Sequence, residues 1–317
     1  MSCTASATSI DFINSEKDSD IMFNLKFLSL RNFCGYRELD LDFEIGNSPI
    51  HVVFGPNGTG KSTMLSAIRI LANPQMFLNR DNDLIFRKLT WHPDYDPTTI
   101  GFTPSSEPLF MKAVFSDIEG SQKIVTMDNH GVIANELPHY RSDQEGFSIF
   151  VDADHPMNMN KFQIPEEAGD KFLRLAKAVY GLPVSLNTAI KVAELDSSRN
   201  FHTDFMIVKG EVNVHFRRMS DGEKKIATLL RHICTEAVHN PSRIILIDNV
   251  EMHIYFKRHS LLSKALCKEF PDKQFITTSH SKAFIDSCRE QYGSYSLIDL
   301  EEKFSKDYAL YSVDESY

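Results

Sequence analysis

The stretch His51-Val52-Val53-Phe54-Gly55-Pro56-Asn57-Gly58-Thr59-Gly60-Lys61-Ser62-Thr63 decides how this chain is read. A β-type run enters the pattern Gly55-x-x-x-x-Gly60-Lys61-Ser62, and a helical pattern, Met64 to Leu71, leaves it. Strand, glycine loop and helix N-terminus in that order are the context a phosphate-binding loop requires. Glycines let several backbone N–H groups converge on one phosphate, and the helix end adds a favourable potential. The nucleotide-binding candidates are Asn57, Gly58, Gly60, Lys61, Ser62 and Thr63. The pattern predicts Lys61 on the β- and γ-phosphates and the Ser62 hydroxyl on Mg²⁺.

The surrounding chain is long enough to give that loop a large core. Its 317 residues suffice for one big α/β domain or two smaller ones. With 42% apolar and 24% charged residues, wholesale disorder is excluded. No apolar run approaches a membrane span. Residues 1–20 are Ser/Thr/Asp-rich, without a basic start and an apolar stretch, and read as a flexible leader instead of a signal peptide. Cys3, Cys34, Cys234, Cys267 and Cys288 form no C-x-x-C pair, which predicts reduced thiols in a cytoplasmic protein. A net charge of −9 argues against a broad polyanion-binding surface and leaves room for a local basic patch.

Strand and helix patterns alternate along the rest. Leu39, Leu41 and Phe43 alternate with Glu38, Asp40 and Asp42, so residues 24–43 read as an antiparallel pair. Residues 73–108, rich in Pro, Asp, Asn and Thr and holding Trp91, read as a loop excursion. Leu109 to Val125 reads as strand, turn, strand, and Ser148 to Val151 as a short strand. The helix Pro165 to Tyr180, stopped by Gly181, lies in a region, 157–200, expected to be a helical subdomain. A hairpin across Lys209-Gly210 follows. Helices over 224–239, 260–270 and 281–290 then alternate with strands over 243–247, 274–278 and 296–300. The expected fold is α/β with a central, mostly parallel sheet, an N-terminal antiparallel β lobe and the helical subdomain, all within 21–317.

Three further motifs sort themselves around the loop. Arg243-Ile244-Ile245-Leu246-Ile247-Asp248 is an apolar strand with its acid at the C-terminal end, where α/β sheets place ligands and where Mg²⁺ needs a carboxylate. Met219-Ser220-Asp221-Gly222-Glu223-Lys224 opens a helix; it reads as a capping box or as a second anion-binding helix start. Thr278-Ser279-His280-Ser281 ends the next strand and puts a histidine at the sheet edge.

Taken in order, these pieces resemble the ABC-type ATPases in their SMC-like, RecF-like and OLD-like branch. The resemblance runs from Phe27-Leu28-Ser29-Leu30-Arg31-Asn32-Phe33 to Thr278-Ser279-His280-Ser281. It implies ATP and Mg²⁺ as cofactors, with Ser62 and Asp248 toward the metal. It also implies a homodimer with composite ATP sites, in which Ser220 and Gly222 of one copy cap the γ-phosphate held by Lys61 of the other. Asp248-Asn249-Val250-Glu251-Met252-His253 looks like the Asp-Glu-Pro-Glu-Leu-His stretch of OLD-like ATPases. The catalytic candidates are therefore Asn249, Glu251 and His280. Asn249 departs from the usual glutamate, and an amide holds a water but is a very poor base. Either hydrolysis is slow, which is the expectation adopted, or Glu251 with His280 takes over the water.

The span from Ser62 to Ser220 carries no heptads, which excludes long coiled-coil arms. Nothing outside the head looks like a nuclease. By analogy with standalone ATPases of anti-phage systems such as Septu and retron-associated modules, the expectation is a switch that controls a separate effector protein, a nuclease. The alternative is a RecF-like clamp on nucleic acid, with Arg217, Arg218, Lys224 and Lys225 toward the phosphate backbone. A small-molecule kinase leaves Ser220 and His280 without purpose.

Overall fold

The computed structural model describes residues 23–33, 36–43, 49–74, 109–128, 131–137, 148–152, 162–190, 201–239, 244–252, 254–292 and 297–300. The alternation at Leu39, Leu41 and Phe43 turns one face of β2 (Tyr36–Asp42) inward, and β2 pairs antiparallel with β1 (Asn24–Phe33). The run entering the glycine loop, β3 (Ile50–Phe54), belongs to a different sheet. β4 (Phe110–Ser116), β5 (Gln122–Asp128) and β6 (Gly131–Asn135) complete the antiparallel lobe in the order β2-β1-β4-β5-β6.

The central sheet is parallel throughout. It holds β7 (Ser148–Asp152), β11 (Ile244–Asp248), β12 (Gln274–Ser279) and β13 (Leu297–Asp299) with β3, in the order β13-β3-β12-β11-β7. Every residue of β11 and β12 is buried, as expected of parallel strands covered on both faces. Alternate β11 residues enter opposite cores: Ile244 and Leu246 pack toward the antiparallel lobe, Ile245 and Ile247 toward the helical side. Helix α1 (Lys61–Ala72) fills the first core with Met64, Leu65, Ile68 and Leu71. The second core takes Phe172 and Leu175 of α2 (Glu166–Tyr180), Leu230 and Ile233 of α3 (Asp221–His239), Leu262 and Leu266 of α4 (His259–Glu269), and Phe284 of α5 (Lys282–Tyr292).

The region 157–200, expected to be a helical subdomain, is described over 162–190. Its described residues hold one helix, α2, ended by Gly181 at φ 63, followed by strand β8 (Val184–Ile190). β8 pairs with β9 (Phe201–Lys209), and β9 with β10 (Val212–His215), as an antiparallel sheet over the helical-side core. The leader 1–20, Trp91 and residues 75–108 of the loop excursion lie outside the described residues.

A side chain joins the two large sheets. Gln274 Oε1 accepts the Leu25 backbone N–H at 2.8 Å, and its Nε2 donates to the Leu25 carbonyl at 2.9 Å. The same Nε2 lies 3.1 Å from His51 Nε2. An amide side chain thus pairs with both backbone groups of Leu25.

Candidate functional site

β3, β12 and β11 are neighbours in the sheet, so the loops after their C-terminal ends meet at one edge. That is where an open parallel sheet places its ligand crevice. The first loop is shaped by Gly58 at φ 85 and Gly60 at φ 80, in the left-handed region. At Gly60 the constraint is double: a Cβ would lie 2.7 Å from Tyr36 Oη. Tyr36, buried in β2, donates its hydroxyl to the Thr59 carbonyl at 3.1 Å and braces the loop from the antiparallel lobe.

α1 starts at Lys61 with no side-chain cap and no acidic residue in its first turn. Its positive end is left uncompensated, which suits an anion. Asn57, Gly58 and Ser62 are exposed and Thr63 half-buried. The Lys61 ammonium donates to the Gly55 carbonyl at 2.7 Å and the Pro56 carbonyl at 2.8 Å. Burial lowers its pKa, and the charges of Asp248 and Glu251 oppose that lowering. The lysine therefore shares one electrostatic site with both carboxylates.

The second and third loops are stitched together. The Thr278 hydroxyl donates to Asp248 Oδ1 and accepts the Asn249 N–H at 2.8 Å, and the Val250 N–H reaches the Thr278 carbonyl at 3.2 Å. Asn249 sits at φ 51, a left-handed conformation that asparagine tolerates better than most side chains. Glu251 Oε1 accepts the His280 backbone N–H at 2.6 Å. The His280 ring is exposed, and the buried His259 ties Ser281 Oγ (3.0 Å) to the Ile254 carbonyl (2.8 Å) behind it.

The donor set fits a magnesium nucleotide. A buried carboxylate at Asp248 and an exposed hydroxyl at Ser62 are hard oxygen ligands. Among the described residues no group of His, Cys, Asp and Glu could hold a metal by itself. Mg²⁺ commonly enters such a site with one or two carboxylates and the phosphates of its substrate.

α3 begins at Asp221, so Ser220 precedes its first turn and Gly222 lies within it, with Ser220 and Asp221 exposed and Gly222 half-buried. Ser220 forms a reciprocal capping box: its N–H and Oγ each reach Glu223 Oε2 at 3.0 Å, and the Glu223 N–H reaches back to Oγ at 3.4 Å. Burial disfavours the Glu223 carboxylate, but Lys209 at 2.6 Å and the Ser220 hydrogen bonds outweigh it and hold the pKa below its usual value. A Cβ built at Gly222 meets only open space.

Among the groups that matter here, sequence reasoning passed over Tyr36 and Gln274. Tyr36 stands in a segment read only as a turn, and Gln274 as the first residue of an apolar strand, so neither carries a local signal.

A glycine loop, a strand-end aspartate and a capped helix start, mounted on this mixed α/β architecture, define a P-loop ATPase head of the SMC/RecF-like ABC branch. Residues 24–299 match the family described as RecF/RecN/SMC N terminal domain, and the chain belongs to that family. In fold it is similar to the SMC head domain from Thermotoga maritima, with TM-score 0.53 and 18% identity over 83% of this chain and 91% of that one. It is also similar to an Smc head domain with an extended coiled coil from Pyrococcus furiosus, with TM-score 0.55 and 13% identity over 84% of this chain and 92% of that one. Over 102 residues it is 30% identical to the Retron Vc95 probable ATPase of Vibrio cholerae serotype O1 biovar El Tor, a match that takes in 28% of this chain and 20% of the relative. The matched part is thus about a fifth of that curated relative's length. Among the described residues no helix is long and apolar enough to cross a membrane.

Proposed function

We propose that this chain is an ATP-dependent dimerising switch of the cytoplasm that controls a separate effector protein, a nuclease, in anti-phage defence. Lys61 and the loop Asn57, Gly58, Gly60, Ser62 and Thr63 hold the phosphates, with Ser62 and Asp248 toward Mg²⁺. When bound, Mg²⁺ neutralises charge on the phosphates. Ser220 and Gly222 of a second copy complete the pocket, and Asn249 makes hydrolysis slow because its amide is a poor base.

The observation that carries this reading is the turn at the start of α3, where Ser220 and Asp221 are exposed, Gly222 is half-buried and a Cβ at Gly222 would meet only open space. A helix start whose glycine faces open space leaves room for a ligand brought by a second copy. The retron relative supports the defence role. Native mass spectrometry with and without Mg-ATP tests it. Wild type should form a nucleotide-loaded dimer that Ser220→Arg abolishes without losing nucleotide; a wild type that stays monomeric with nucleotide bound rejects the switch.

The exposed Arg217 and Arg218 beside Ser220 favour a second reading, a RecF-like DNA clamp. It predicts DNA affinity that requires ATP and falls steeply with salt.

A further inference from the structure

Glu251 has two carboxylate oxygens in unlike circumstances. Oε1 is fixed by the His280 backbone N–H at 2.6 Å. Oε2 is shut away from solvent and has no hydrogen-bond partner. Among the described residues the only other side-chain atom so placed is His232 Nδ1, on α3. A buried acceptor without a donor is costly, and native proteins keep one where something outside the chain completes it. Glu251 follows β11 and its Oε1 takes the N–H that follows β12, so the carboxylate lies at the sheet edge where the glycine loop also ends. In the same pair of loops Thr278 is committed to Asp248 and to the Asn249 N–H. Asn249 itself offers an amide on a backbone held at φ 51.

We propose that nucleotide binding uncovers Glu251 Oε2 and that this oxygen then orients the attacking water of this ATPase, two residues beyond the position that Asn249 occupies. This rests on the ATPase reading above and deepens it: turnover is slow, and what turnover occurs runs through Glu251. The water oxygen bonds to the γ-phosphorus as the bridging P–O bond breaks, leaving ADP. One water proton passes to Oε2 and then to the released phosphate, which returns the carboxylate unchanged. The His280 N–H holds the other oxygen, so the β12 loop sets the direction in which Oε2 points.

Glu251→Gln tests this, because its amide oxygen keeps the His280 N–H while an N–H donor replaces the acceptor at Oε2. Three readouts are taken against wild type and the control Glu119→Gln, an exposed turn residue. The melting temperature without nucleotide should stay close to wild type, since the amide oxygen keeps the His280 N–H; a brace would give a fall. Mg-ATP binding should be unchanged. Single-turnover hydrolysis should drop about 100-fold, with ATP in place of ADP retained in native mass spectra. Hydrolysis matching the control, a clear fall in melting temperature, or a wild type that binds ATP and never cleaves it overturns the assignment and leaves the switch standing. A wild type that binds no Mg-ATP overturns the switch and the assignment together.

Discussion

Gln274→Met keeps the length of the side chain and deletes its polar atoms, so it measures what joins the antiparallel lobe to the parallel sheet. The geometry fixes the amide: Oε1 must face the Leu25 N–H, which commits one Nε2 hydrogen to the Leu25 carbonyl and the other to His51 Nε2. His51 is then neutral with Nε2 bare, in keeping with the burial that pushes its pKa down to about 4. Leu25 is 0% exposed and His51 4%, so water does not readily replace the lost partners. Each buried backbone group left unpaired costs about 1–3 kcal/mol, and two of them plus the histidine acceptor give roughly 4 kcal/mol. That is a large share of the ~5–15 kcal/mol that usually holds a domain together. Urea unfolding followed by circular dichroism should show the midpoint falling at an unchanged slope. A loss below about 1 kcal/mol would refute the reasoning, because it would mean that the amide bonds are not what satisfies β1.

Gly60→Ala forces a Cβ into Tyr36 and a left-handed φ, so Mg-ATP affinity should fall at least about tenfold by equilibrium binding, with Tyr36→Phe restoring part of it. Because the folded His51 binds its proton only near pH 4 while the unfolded ring does so near 6.5, stability is full above 6.5 and is lost as pH falls toward 4. The loss is on the order of 3 kcal/mol, read from urea midpoints across that window, and His51→Leu should flatten it. Asn249→Glu should raise single-turnover hydrolysis at a stability cost of about 1 kcal/mol, since glutamate tolerates the φ of 51 less well. Turnover no faster than wild type would show that the amide is not what limits the rate.

Much of this was legible because it is local. The glycine loop, the apolar strand ending at Asp248 and the alternation through Leu39, Leu41 and Phe43 each carry their own periodicity or spacing. β8 was not read, although Val184, Leu186 and Ile190 alternate, because its partner β9 begins only at Phe201 and the helix before it dominates the local pattern. Helix α3 starts at Asp221, three residues before the expected start at 224, because the Ser220–Glu223 box, not hydrophobic spacing, sets the boundary. The surroundings of Glu251 were hidden for a different reason. They arise where two loops from strands 30 residues apart, Asp248 and Thr278, are brought edge to edge by parallel pairing. Nothing in either loop alone announces it.

The Tyr36 hydroxyl under the Thr59 carbonyl has a practical corollary for anyone paring the molecule down. The nucleotide cradle is not a detachable cassette: its floor is a tyrosine borrowed from strands that precede it in the chain. A fragment beginning at β3 would keep the glycine loop, the Ser220 turn, Asp248 and His280 and lose the prop beneath the first of them.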